Sequence, residues 1–166
     1  MSAPPSYPPL ITARSPSYER ARRELAHPSP IGDSGVVAIL SKLYEAEENA
    51  RAACSAAAEV VVTPALATQL ADAANVHADR RDALGALVVA RGGLPPKPEQ
   101  VRQLLEHGED AVRNWVLADG SRDVDDAVLQ QLVAMRRELE TLYAEAIGDP
   151  DLGDAQRDAV RALAPS

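Results

Sequence analysis

ILSKLYEAEENARAACSAAAEV, residues 39–60, decides the reading of this chain. Ile39, Leu43, Ala46, Ala50, Ala53, Ala57 and Val60 recur in it at alternating steps of four and three. That spacing puts one apolar stripe on one face of a long helix, sustained over three heptads. Glu47 and Glu48 flank the stripe at mid-height, and Cys54 sits beside it where a small apolar filler is needed. The chain has no Phe, so its core is built from Leu, Val and Ala, side chains that suit closely packed helices better than a sheet.

The same periodicity continues outward. Helices are predicted at about 36–61, 64–91, 99–118, 124–147 and 154–163. Thr63-Pro64 separates the first two, with Thr63 as N-cap and Pro64 in the first turn. RGGLPPKP, residues 91–98, stops the second with glycine just past its end and proline beyond. Val101, Leu104, Leu105, Gly108, Ala111, Val112, Trp115 and Val116 form the inward face of the third, with His107 on its outer face. Val124, Val128, Leu132, Met135, Leu139, Leu142 and Ala146 repeat the 4-3 spacing in the fourth. Four amphipathic helices with short, punctuated turns predict an all-α, antiparallel, up-down-up-down four-helix bundle, with a short C-terminal helix and a Pro-rich N-terminal arm.

Composition narrows the function. A length of 166 residues fits one domain, and a net charge of −8 argues against a phosphate-binding surface, so no nucleic-acid partner is expected. The longest apolar run, Ala83–Ala90, is far short of the roughly 20 residues that span a bilayer, so no membrane association is expected either. MSAPPSYPPL lacks the basic flank and apolar stretch of a secretory signal, and a cytoplasmic location is the expectation. A single cysteine precludes an internal disulfide. Residues 1–32 stand apart: they hold many of the prolines and set four arginines against two glutamates, whereas the remainder is strongly acidic. They read as a flexible, basic arm, with one short helix possible in SPSYERARRELAH, residues 15–27. Pro4, Pro5 and Tyr7 in PPSY fit the Pro-Pro-x-Tyr pattern that docks into aromatic grooves; four residues of a proline-rich arm also match it by composition alone. Glycine-rich phosphate loops, His-Glu-x-x-His, Gly-x-Ser-x-Gly and Cys-x-x-Cys are all absent, and the reading leans away from an enzyme.

LYEAEENARAACSAAAE in the first helix, the R…LGALVVARGGLP end of the second and RRELETLYAEAI in the fourth resemble a family of bacterial ferritin-like four-helix-bundle proteins of unknown function. The matching places are Glu47 or Glu48, Arg80 or Arg81, Gly92–Pro95, Glu138 and Tyr143, over about residues 36–148. The wider ferritin-like superfamily implies a di-metal carboxylate site, with one Glu from each of two helices and Glu-x-x-His from each of the others. Three departures stand against a complete site. Ala74 stands three residues before His77, and Thr141 stands where Glu138 would need a histidine three residues on. Carried through the turns, the height of His77 meets Arg113 and Leu129 on the last two helices, neither of them a ligand. A ferritin-type crossover also needs on the order of twelve extended residues, and Gly92–Pro98 offers seven.

HADRRD, residues 77–82, is polar over more than a full turn of a helix with apolar ends. His77 is therefore either a remnant metal ligand beside Glu47 or Glu48, or a seam histidine hydrogen-bonded to a carboxylate. The second reading extends to an internal ion network of Glu47, Glu48, His77, Arg80, Arg81 and Glu138, with Arg81 set against Glu47. Such clusters fix register more than they add net stability. The expectation is thus a non-enzymatic helical bundle without a cofactor, acting as a structural module or binding a protein partner or a second copy of itself. The alternative is a metalloprotein that holds iron or manganese through Glu48, His77 and Glu138.

Overall fold

The computed structural model describes residues 32–94, 103, 106, 110, 112–114 and 123–165. Every regular element among them is helical: α1 (Gly32–Val60), α2 (Pro64–Ala90), α3 (Val124–Gly148) and α4 (Asp154–Leu163). Residues 103, 106, 110 and 112–114 are also helical and lie between α2 and α3 in the chain. The N-terminal arm up to residue 31, including Pro4, Pro5 and Tyr7, lies outside the described residues, as do His107 and Trp115. No described helix is long and apolar enough to cross a membrane.

α1 starts at Gly32, about four residues earlier than the sequence spacing implies, and takes in Gly35. Gly35 is admitted there by close packing: a Cβ on it would lie 2.8 Å from Asp151 Oδ2, so the first turn of α1 rests against the α3–α4 loop. α1 ends at Val60, and Pro64 opens α2 where its missing N–H removes a donor that would have no intrahelical partner. The Thr63 side chain makes no cap bond, contrary to the expectation. Asp125 reaches across from α3 instead, its carboxylate accepting from Val62 N at 2.7 Å and Thr63 N at 3.0 Å. α2 closes as the glycines imply. Gly92 takes φ +75°, Gly93 N donates to Val88 O and Gly92 N to Val89 O, the paired bonds of a Schellman turn. A Cβ at Gly93 would lie 2.6 Å from Val88 Cγ1 and 2.9 Å from Val37 Cγ1, which ties this turn to α1. Asp123 caps α3 by accepting from Asp125 N and Asp126 N. At its other end Arg157 of α4 donates to Ile147 O, a carbonyl that the helix leaves open, and to Asp149 O and Leu152 O of the loop that follows.

α1 is the spine. One cluster of buried side chains gathers Leu40, Leu43, Leu84, Val88, Tyr143 and Val160 towards the α4 end; a second, alanine-rich cluster gathers Ala53, Ala57, Leu70, Val112 and Val128 towards the other. The Asp125 bonds set the starts of α2 and α3 at one end of the molecule, so both run antiparallel to α1 and parallel to each other. Each packs on α1, yet no Cα of α2 comes within 8 Å of a Cα of α3. The separation leaves a cleft between them, floored by α1.

Candidate functional site

Glu47 and Glu48 are adjacent on α1, about 100° apart around its axis, and both side chains are fully buried. Burial of two carboxylates is costly unless every oxygen finds a donor. Here every one does. Glu47 Oε1 accepts from the Tyr143 hydroxyl at 2.7 Å, and Glu47 Oε2 lies 2.6 Å from His77 Nδ1. Glu48 Oε1 accepts from Arg51 Nη2 at 2.8 Å, while Oε2 accepts from Arg51 Nε at 3.0 Å and Arg81 Nη1 at 2.7 Å. Arg81 is steadied in turn by Asp82, whose Oδ1 takes both Nε and Nη2. Glu47 therefore joins α1, α2 and α3, and Glu48 locks α1 to α2.

The local electrostatics follow from these contacts. Burial pushes the Glu48 carboxyl up, but the hydrogen bonds and charges of Arg51 and Arg81 outweigh it, and the net shift is down. Burial, then the hydrogen bond to Glu47 and its charge, raise the Tyr143 hydroxyl far above the ordinary tyrosine value. A group raised in the fold contributes stability that is fully present below its ordinary value and is lost as pH climbs through the folded one. Near pH 11, about one unit above that ordinary value, the native chain is expected to show less tyrosinate absorbance than its four tyrosines can give. Concentrated urea should restore the remainder; full ionisation without urea would contradict the buried bond.

The structure joins Glu47 to His77 and Glu48 to Arg81; of the alternatives that the sequence leaves open, Arg81 meets Glu48 and not Glu47. Arg80 is half-buried and lines the cleft, with no hydrogen bond or ion pair among the described residues. Glu138 is exposed on α3, one position off the buried run of Leu139, Tyr143 and Ala146, and takes no part in the cluster. Two members stand outside the network expected from the sequence, although the family resemblance already marks Tyr143. Arg51 was legible as the i+3 partner of Glu48. Tyr143 was legible as a tyrosine four residues after Leu139 on an inward face, where its hydroxyl needs a partner.

The donor set does not suit a metal. Among the described residues no group of three or more His, Cys, Asp and Glu is placed to hold an ion. A cation at Glu48 would have to displace two guanidinium groups, and Glu138 is exposed whereas Glu48 is fully buried. Cys54, two turns along α1 from Glu47, lines the cleft beside His77. Its thiol is no nucleophile, because burial first and the Glu47 charge second push it up to about 11. Near pH 8 the native chain should react with Ellman's reagent at least about 100-fold more slowly than a free thiol, from the thiolate fraction alone. Equal rates in native and urea-unfolded chain would show Cys54 to be open and activated.

The cleft itself has a volume of about 400 Å³. Leu66, Leu70 and Ala73 of α2 and Leu129, Leu132 and Val133 of α3 form most of its walls, with His77 and Arg80 further along α2. Val76, Leu129 and Val133 are substantially exposed in it. No protein-family model, no curated protein and no solved structure matches this chain.

Proposed function

We propose that this chain is a non-enzymatic binding module built on a ferritin-like, up-down-up-down four-helix bundle in which an internal ion network takes the place of a metal centre. The supporting geometry is the common starting end of α2 and α3, their joint packing on α1, and the helical residues between them in the chain. One observation carries the functional reading. All four oxygens of the buried carboxylate pair are taken by the chain's own donors, while among the described residues an apolar cleft of about 400 Å³ lies beside them. A catalytic or metal centre needs an open position; a binding wall needs rigidity, and a satisfied network supplies it. The module would act in the cytoplasm, through a protein partner or a second copy, with the basic arm as a docking peptide.

Iron and manganese analysis of chain purified from metal-supplemented cells, beside a His77→Ala control, tests this reading. The expected content is well below one equivalent in both proteins. Stoichiometric metal in the wild type that disappears with His77→Ala would overturn it in favour of the metalloprotein.

A further inference from the structure

We infer that the α2–α3 cleft binds a long-chain monocarboxylate, its carboxylate on Arg80 and its hydrocarbon chain along the apolar walls towards Leu66 and Leu129. The inference rests on the binding-module reading and names the ligand class. A cavity of about 400 Å³ lies within the range of small-molecule sites. Its polarity is graded along α2, where Leu66, Leu70 and Ala73 lead to His77 and Arg80, with Gln69 the polar exception. Leu66 and Arg80 are about 21 Å apart along the helix at 1.5 Å per residue, roughly the length of an extended fatty acid.

Arg80 decides the charge of the ligand. Acidic residues outnumber basic ones by 25 to 17, yet half-buried Arg80 forms no ion pair among the described residues, and its charge acts on the Tyr143 hydroxyl. The other cationic groups of the cleft are engaged: Arg136 Nε is held by Glu140 at 2.8 Å and His77 Nδ1 by Glu47. A bound anion would give this cation, at the edge of the apolar walls, the ion pair it lacks among the described residues. A guanidinium matches a carboxylate through two parallel hydrogen bonds. Among the described residues Arg80 is the cleft cation without a hydrogen bond or ion pair, set between the aliphatic walls and the Tyr143 hydroxyl that its charge reaches. A single cation suits a single negative charge better than a phosphate, and Val76, Leu129 and Val133, exposed as they stand, would be covered by the chain of the ligand.

The test is a fluorescence titration of the full-length chain with cis-parinaric acid, followed by displacement with palmitate or methyl palmitate. Saturable binding to one site is expected, displaced by palmitate and not by its ester. Arg80→Ala should weaken the affinity at least tenfold at an unchanged urea midpoint, and Ala73→Trp, which fills the cleft, should abolish binding. No saturable uptake by the wild type overturns the inference and gives the cleft to residues 95–122 of the chain itself or to a protein partner. Equal displacement by acid and ester also overturns it, and needs no variant to fold. Failure here in a metal-free chain leaves the binding-module reading standing, whereas metal content decides that reading separately.

Discussion

Replacing both Arg51 and Arg81 by alanine should cost this fold about 3–5 kcal/mol at neutral pH, the penalty for a buried charge stripped of its partners. Glu48 is fully buried and accepts three N–H bonds, all of them from these two side chains. Domains of this kind are stable by only about 5–15 kcal/mol, so the double variant should lie near or past unfolding. Arg81→Ala alone should cost less, because Arg51 still holds both Glu48 oxygens. The pH dependence supplies a signature that loss of packing would not. In the wild type the Glu48 carboxyl is held below its ordinary value, so its contribution is present above about pH 4.5 and fades as pH falls through the folded value. Without the arginines only burial remains, which raises the carboxyl. The penalty then grows as pH rises and shrinks in acid, where the group is protonated. Urea midpoints at pH 7 and near pH 4.5 measure both. A deficit independent of pH would mean that the arginines act through their hydrocarbon stems and not through charge.

Tyr143→Phe should be the next most damaging change, at about 1–3 kcal/mol for a buried acceptor left without its donor. Tyr143 is among the largest fully buried side chains, and among the described residues its hydroxyl is the one donor to Glu47 Oε1. Phenylalanine keeps the ring and its packing, so the loss reports the hydrogen bond. Glu47→Leu should also destabilise, because it orphans the Tyr143 hydroxyl and frees His77 Nδ1. The two changes together should cost less than their sum, since the second removes the group that the first left unpaired. Strict additivity in urea denaturation would show that the Tyr143–Glu47 bond does not form in solution.

The helices were legible because apolar residues at steps of four and three admit few other structures. The end of α2 was legible because Gly92 sits where a left-handed residue is needed. What escaped the sequence depends on contacts between distant elements. The start of α1 at Gly32 rests on the α3–α4 loop packing against Gly35, and the cap of α2 comes from Asp125 rather than from Thr63. The site was half legible for the same reason. HADRRD opposite Glu47-Glu48 marked an ion cluster, but a rotation of about 100° between neighbouring residues decides which carboxylate meets which cation. That rotation gave Arg81 to Glu48, brought Tyr143 in and turned Glu138 out. The cleft was not legible at all, because the distance between α2 and α3 has no counterpart in the periodicity of either.

A double-mutant cycle on Glu48 and Arg81, using glutamine at each position and urea denaturation at pH 7, tests the closed network most directly. A favourable coupling of about 1 kcal/mol or more is expected, within the range for residues that share a buried hydrogen-bonded ion pair. A coupling indistinguishable from zero would contradict it, leaving Arg51 as the partner of Glu48 and α1 unlocked from α2 at this point.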